Sequence, residues 1–197
     1  MNSSDTEKRI LEAAMDVVSE HSISKTRMRL IAQKAGMAQS NVHYYFKTKR
    51  DLLLALLEKM QQDNRKLRHS LVDSRPDTLR DKLAGFYAQR KDLIENRPGY
   101  EHTQIDFWSQ RQNDPEVGRL FAAGYTEWRD HICREIGRYL PRVEANRLNL
   151  VAAVIMSQMM GASLQCLNNP GIFDLDAYFE LCLKTTLELL PEAPGAE

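Results

Sequence analysis

The sequence RLIAQKAGMAQSNVHYYFKTK, residues 29–49, decides the fold of this chain. Apolar residues recur at helical spacing on both sides of Gly36. Glycine readily adopts the left-handed backbone conformation in which one helix ends and the chain reverses. Two short helices joined by a tight turn that contains glycine are the pattern of a helix-turn-helix. We therefore predict this motif, with its turn at Gly36.

The same region is strongly basic, although the whole chain of 197 residues has a formal net charge of zero. Residues 24–50 include seven lysines and arginines and no acidic residue. A basic run is often only a solvated surface, but one that stands beside a neutral or acidic remainder favours a polyanionic partner. The charge pattern therefore predicts nucleic-acid binding at the helix-turn-helix.

Helical periodicity also dominates the rest of the chain, and no strand-like alternation appears. The prolines are spaced as helix boundaries are, and Asp114-Pro115 and Asp174 have the character of helix N-termini. We predict an all-α fold of about nine helices. Residues 1–48 would form a three-helix head, and a long fourth helix would join it to a helical effector-binding and dimerisation domain in residues 49–197.

The head also carries a family resemblance, in the string Thr26-Arg27-x-x-x-Ile31-Ala32-x-x-Ala35-Gly36-x-x-x-x-x-x-x-Tyr44-Tyr45-Phe46-x-x-Lys49-x-x-Leu52. This string resembles the DNA-binding head of the TetR family of bacterial transcriptional regulators. Two positions depart from the family pattern. Ala38 stands where serine or threonine usually caps the reading helix, and His43 stands where tyrosine is common.

The resemblance implies a ligand-responsive, DNA-binding transcriptional regulator in the cytoplasm, typically a repressor. Such a protein binds a palindromic double-stranded operator as a homodimer and is released by a small-molecule effector. DNA contacts are expected from Thr26, Arg27, Gln39, Ser40, Asn41, His43, Tyr44, Lys47 and Lys49. Amide side chains suit adenine edges in the major groove, and lysines suit phosphates.

Three of these residues have a structural alternative. Tyr44 is alternatively a surface aromatic with no DNA role, and Lys49 an ordinary first-turn residue of the fourth helix. His43 is alternatively a packing residue rather than a reader of bases. The sequence leaves these alternatives open.

The C-terminal part holds both tryptophans of the chain, together with methionines and polar residues at helical spacing. Such residues usually form plain core, and the alternative is a mostly apolar effector cavity with a few polar groups. The family resemblance favours a cavity, with the candidate lining His102, Gln104, Phe107, Trp108, Tyr125, Trp128, Met156 and Met159. The faces of Trp108 and Trp128 suit an organic cation. The head resembles both choline-responsive and pyrimidine-pathway regulators, so the effector stays open.

The segment LNLVAAVIMSQMMGASL, residues 148–164, is apolar on nearly every side. A helix of this kind is buried on every side, which predicts contact with the domain's own core and with a second subunit. The helix after Asp174 would join it in a four-helix dimer interface, and the alternative is a central helix of a monomer.

The longest apolar run, Leu150 to Met156, is much shorter than the roughly 20 residues of a membrane span, so no membrane contact is expected.

Motifs of catalysis and metal binding do not occur in the sequence. The five histidines form neither HExxH nor a Cys/His zinc spacing, and there is no phosphate-binding glycine loop or nucleophile elbow. We expect no enzyme, no cofactor and no metal. The three cysteines are widely spaced, which favours reduced thiols in a cytosol. A helical scaffold protein is the second hypothesis, and it leaves the basic stretch unexplained.

Overall fold

The computed structural model describes residues 3–191, which form nine α-helices and no β-strand. The helices are α1 (Ser3–Lys25), α2 (Met28–Lys34), α3 (Gln39–Tyr45), α4 (Lys49–Asp73), α5 (Leu79–Asn96), α6 (Pro98–Gln110), α7 (Pro115–Tyr139), α8 (Ala145–Asn168) and α9 (Leu175–Glu188). The prediction of an all-α fold with about nine helices is confirmed.

The chain divides into two compact units. Unit 1 contains the residues up to Asp63 together with Arg97–Ala123, and unit 2 contains Asn64–Asn96 together with the residues from Gly124 onward. The division therefore falls within α4 and within α7. The functional boundary expected at residue 48 is a different division, and it stays a prediction.

Unit 1 holds the predicted helix-turn-helix. In it α1 packs against α2 and α6, and α2 packs against α3. Ile31 of α2 and Val42 of α3 are fully buried, and burial of such a side chain contributes about 1.5–3 kcal/mol. Gly36, between the two helices, has a φ of 64°. The predicted left-handed turn at Gly36 is confirmed.

The start of α7 in unit 1 follows the predicted cap. Asp114 precedes Pro115, and its carboxylate accepts hydrogen bonds from the backbone N–H groups of Glu116 at 3.0 Å and Val117 at 3.4 Å. These bonds satisfy donors that have no partner in the first turn of a helix. In unit 2, Asp174 caps α9 in the same way.

Unit 2 is built on contacts among α5, α8 and α9, with the second part of α7 in its core. At Gly85 of α5 the backbones of α5 and α4 come very close. A Cβ at that position would lie 2.8 Å from the Cα of Val72, so only glycine permits the contact without a local shift.

α8 is the apolar helix that residues 148–164 predicted, and one of its sides is in the core. Val151, Ile155 and Met159 are buried there. Leu150, Val154 and Leu164 are exposed on the other side.

By length and composition alone, α8 is also long and apolar enough to cross a membrane. The short run of consecutive apolar residues in the sequence did not indicate this. Core helices of soluble proteins pass the same test, and α8 supplies much of the core of unit 2.

Candidate nucleic-acid interface

The second helix of the motif, α3, separates its buried and exposed residues cleanly. Val42 and the following Phe46 are buried and hold the helix against the head. Gln39, Ser40 and Asn41 are exposed. These three side chains carry the amide and hydroxyl groups that hydrogen-bond to base edges and phosphates. α3 therefore presents a polar face to the solvent, which we call the reading face.

Tyr44 extends the reading face towards the basic residues that follow it. Its side chain is 74% exposed, and its ring lies edge-on to that of Tyr45 at 5.3 Å between centroids. The ammonium of Lys47 lies 5.8 Å from the centroid of the Tyr44 ring. A phenol and an ammonium thus project together from the C-terminal end of α3, where a DNA backbone contact is expected.

His43 lies half-buried at the flank of the reading face. One ring nitrogen is 3.2 Å from Nε2 of Gln39, and the other is 3.3 Å from the carbonyl oxygen of Lys47. These bonds tie α3 to the residues just after it and orient the amide of Gln39. The two roles considered for His43, packing and base reading, are therefore compatible, and the second stays a prediction.

The seven basic residues of positions 24–50 do not all contribute to a positive surface. Lys34 is paired with Glu20 at 2.7 Å. Arg50 donates two hydrogen bonds to Asp114, at 2.7 and 2.9 Å, and this guanidinium lowers the pKa of the Asp114 carboxyl to about 2. Four others are exposed: Lys25, Arg27, Arg29 and Lys47.

Two of the residues expected to contact DNA, Thr26 and Lys49, point inward instead. Thr26 is 1% exposed, and its hydroxyl donates to the carbonyl oxygen of Ser22 at 2.7 Å. The Nζ of Lys49 donates to the carbonyl oxygen of Ile23 at 2.6 Å, and burial lowers the pKa of Lys49. A phosphate contact from either side chain requires it to leave or share its present bond. Both contacts stay predictions.

A junction that no sequence pattern indicated surrounds Ile23. The backbone kinks at Ser22, which has a φ of 68° and a ψ of 161°. The N–H of Ile23 donates to the carboxylate of Asp106 on α6, and its carbonyl oxygen accepts from Lys49 on α4. One peptide segment of α1 is thus held by side chains of two other helices. We call Ser22, Ile23, Lys49 and Asp106 the Ile23 junction.

Four of the eight candidate effector residues lie in unit 1, in different environments. Phe107 is buried and lines a cleft of about 370 Å³ beside Ile23 and Lys49. Gln104 is also buried, and its Oε1 has no hydrogen-bond partner among the described residues. His102 is exposed. Trp108 is 50% exposed, and the guanidinium carbon of Arg111 lies 4.8 Å from its ring centroid.

The other four candidates lie in unit 2. Trp128, Met156 and Met159 belong to its buried core, and Tyr125 packs against that core. The rings of Tyr125 and Trp128 are nearly perpendicular, with centroids 6.1 Å apart. The structure thus brings these four into one cluster, while the role of all eight as an effector lining stays a prediction. Among the described residues, no three His, Cys, Asp or Glu side chains are placed to hold a metal ion.

The fold and the reading face define a helix-turn-helix regulator, and comparison with known proteins gives its family. Residues 10–56 match the model of bacterial regulatory proteins of the tetR family, and residues 79–191, more than half of the chain, match the C-terminal region of BetI-type transcriptional repressors. The chain therefore belongs to the TetR family of transcriptional regulators, with a C-terminal region of the BetI type.

Relatives and solved structures agree with this membership. The HTH-type transcriptional regulator BetI of Agrobacterium fabrum is 24% identical over 186 residues, which cover 90% of this chain and 88% of the relative. BetI of Burkholderia lata is 27% identical, over an aligned region that covers 69% of this chain and 70% of the relative. A putative regulator from Saccharomonospora viridis in complex with choline has a TM-score of 0.80 at 19% identity and covers 94% of this chain and 96% of its own. FadR of Bacillus subtilis, in complex with stearoyl-CoA, has a TM-score of 0.76 at 20% identity over 93% of this chain and 99% of its own.

Proposed function

We propose that this regulator is a cytoplasmic repressor that binds a palindromic operator as a homodimer and releases it when a small molecule binds. The observation that carries the proposal is the reading face of α3, where Gln39, Ser40, Asn41 and Tyr44 are exposed beside Lys47. In helix-turn-helix proteins the second helix enters the major groove. The exposed amides would read base edges, and Arg27, Tyr44 and Lys47 would contact phosphates.

The dimer is supported by an apolar surface on unit 2. Leu150, Val154 and Leu164 of α8 and Leu181 of α9 are exposed, and α8 packs against α9. We call these four residues the apolar stripe. Large apolar side chains exposed on two helices that are in contact are typical of an interaction surface. A second copy of this chain would cover the stripe with the same four residues, because a twofold interface is self-complementary. Such a pair also supplies the two heads that a palindrome needs.

A small-molecule effector is supported by what the related structures contain. Those from Saccharomonospora viridis and Bacillus subtilis hold choline and stearoyl-CoA, respectively. Relatives of this chain are transcriptional regulators, and the proposal assigns it no catalytic step. The effector would act by binding one conformation of the dimer more tightly than the other, because only a difference in affinity shifts an equilibrium.

The Ile23 junction offers a route from α6 to the head. A displacement of α6 would move Asp106, and Asp106 holds the backbone of α1 at Ile23. Lys49 holds the same residue from the first turn of α4. A change in α6 would therefore alter the orientation of the head through hydrogen bonds that the structure contains.

Selection of duplexes from a random pool tests the proposal most directly. We expect the recovered sequences to share a twofold-symmetric motif, with half-site centres about 34–36 Å apart or a multiple of that distance. Affinity for that motif should fall steeply with added salt, because phosphate contacts release counterions. A pool that yields no common motif, together with a flat salt dependence, would favour the scaffold hypothesis. The double variant Gln39→Ala/Asn41→Ala serves as the control, since it keeps the charge and should lose the selectivity.

A further inference from the structure

A cleft in unit 1 lies beside the Ile23 junction. Its volume of about 370 Å³ is near the lower end of the range of about 300–1,000 Å³ in which ligand pockets fall. The last part of α1, the first turns of α4 and α7 and the last part of α6 supply its lining. All of these segments belong to unit 1. We call this cavity the Lys49 cleft.

The walls of the Lys49 cleft are mostly apolar. Ile23, Phe107 and Val117 are buried side chains of the lining. Leu53 and Leu54, which also line it, are only half-buried. Covering apolar surface that is open to water contributes about 25 cal/mol for each Å². The cleft therefore suits a small ligand with an apolar body.

The ammonium of Lys49 belongs to the same lining and is only partly satisfied. It donates to the carbonyl oxygen of Ile23 at 2.6 Å, and no carboxylate is paired with it in the part of the chain that the structure describes. An ammonium has three donors, so two of them have no acceptor. Burial lowers the pKa of Lys49 despite the opposing effect of Asp106, and Arg27 lowers it as well. A further negative charge beside this ammonium would therefore be favourable.

The other charged groups near the cleft already have partners. Arg50 donates two hydrogen bonds to the carboxylate of Asp114, and the same carboxylate accepts from two backbone N–H groups at the start of α7. The carboxylate of Asp106 accepts from the N–H of Ile23. Within the described lining, Lys49 is thus the one charged side chain without an ion-pair partner.

We propose that the Lys49 cleft binds a small monocarboxylate with an apolar body. The carboxylate would accept from the two remaining donors of Lys49, and the apolar body would cover Leu53 and Leu54. Hydrogen bonds between charged partners are about twice as strong as neutral ones. A neutral ligand of the same shape would gain the apolar contacts only, and a cation would be repelled by the ammonium.

Such a ligand would act on DNA binding through Lys49 itself. A carboxylate bound in the cleft would hold the ammonium beside Ile23 and keep it from a phosphate of the operator. The inference rests on the proposed function, because it names the site and the chemical class of a small molecule that weakens operator binding.

Two matched series of ligands test the site on the full chain. One contains 4-phenylbutyrate, 4-phenylbutanol and 4-phenylbutylammonium, and the other contains hexanoate, hexanol and hexylammonium. We expect calorimetry to show at least one acid binding about tenfold or more tightly than its alcohol, with the ammonium weakest. Nuclear Overhauser contacts from the bound acid to the methyl groups of Leu53 and Leu54 should place it in the cleft. No binding of either acid, equal binding of acid and alcohol, or contacts only elsewhere would overturn the proposal.

Two variants separate the charge from the cavity. Lys49→Met removes the charge and should reduce the affinity for the acid to that for the alcohol. Lys66→Met, at an exposed position of the same helix, should leave both affinities unchanged. Leu54→Trp would fill the cleft and should abolish binding of acid and alcohol alike. If Lys49→Met does not fold, Leu54→Trp decides, and undiminished acid binding there rejects the site.

Duplex binding distinguishes this inference from the proposed function. Without any probe, failure to bind a selected duplex rejects the proposed function, whereas calorimetry judges the cleft independently. With saturating acid at constant ionic strength, the slope of log affinity against log salt should fall by about one unit in the original protein. The acid should have no such effect in Lys49→Met. An unchanged slope in the original protein would overturn the proposed action of the ligand on DNA binding.

Discussion

The reading face of α3 and the apolar stripe of α8 and α9 are both exposed surfaces, but their chemistry differs completely. The first presents amides, a hydroxyl and a phenol, with exposed basic residues beside them. The second presents leucine and valine side chains. Polar groups that can hydrogen-bond suit a hydrated, charged duplex, whereas apolar groups suit the dry centre of a protein interface. Once the fold shows which residues are exposed, the chemistry of their side chains favours a different kind of partner for each surface.

The largest effect is expected from placing charges on the apolar stripe. Val154→Glu/Leu181→Glu would bury carboxylates between two copies, which costs more than the contact gains. We expect sedimentation to show a monomer, and operator affinity to fall by about a hundredfold or more because the second half-site no longer assists the first. Thr126→Glu, at an exposed position of α7, should leave both measurements unchanged. A variant that stays dimeric would show that a different surface pairs the subunits.

The next effect concerns the Ile23 junction, through which we propose that α6 influences the orientation of the head. Asp106→Ala removes the acceptor of the Ile23 N–H, so hydrogen exchange at that amide should accelerate. Operator affinity should fall by about tenfold, about 1.4 kcal/mol, because the head is less well held. Asp106→Asn keeps an acceptor oxygen and should restore most of the affinity, and His102→Ala on the same helix is the control. Slow exchange at Ile23 in Asp106→Ala would contradict the role of this carboxylate.

A smaller and more selective effect is expected within the reading face. Asn41→Ala should lose about 1–3 kcal/mol of discrimination at one or two base pairs of each half-site. The affinities of the original protein and of Asn41→Ala are measured for a set of duplexes that each carry one base-pair change. The difference between the two profiles gives the discrimination lost at each position. Gln33→Ala, at an exposed position of α2, should keep the original profile. An equal loss at all positions would mean that Asn41 contacts the backbone rather than a base.

The smallest effect on affinity should come from single lysine substitutions. The salt dependence of binding in these variants tests whether each lysine contacts a phosphate. Lys47→Ala should lower the slope of log affinity against log salt by about one unit and should weaken all duplexes alike. Lys66→Ala, which removes an exposed charge from α4, should not change the slope. The same measurement on Lys49→Ala decides whether its ammonium leaves Ile23 for a phosphate. A slope that Lys47→Ala does not alter would remove Lys47 from the interface.

The sequence predicted the local structure of the chain better than its contacts with other molecules, for a physical reason. The turn at Gly36 and the caps at Asp114 and Asp174 depend on neighbours a few residues away, so local patterns indicate them. Their roles as structural residues are confirmed. The DNA and effector contacts depend on molecules other than this chain, and those residue roles stay predictions.

The contacts that sequence reasoning missed all join distant residues. Arg50 and Asp114 are 64 positions apart, Ile23 and Asp106 are 83 apart, and Arg90 and Ser163 are 73 apart. Nothing in the neighbourhood of Arg90 distinguishes it from the exposed arginines of the chain. Its burial follows from how the helices of unit 2 pack, which no local pattern encodes.

Asp114 gives unit 1 a defined weakness towards acid. Its single carboxylate both pairs with Arg50 and caps α7, and its pKa in the folded chain, about 2, lies below the ordinary value of 3.8. A lowered pKa means that the unfolded chain takes up this proton first, so the stabilisation is complete above pH 3.8 and is lost as the pH falls towards 2. Protonation would loosen the start of α7 and the Arg50 pair of α4 in one event. Strong acid therefore acts on two helices through the single carboxyl group of Asp114.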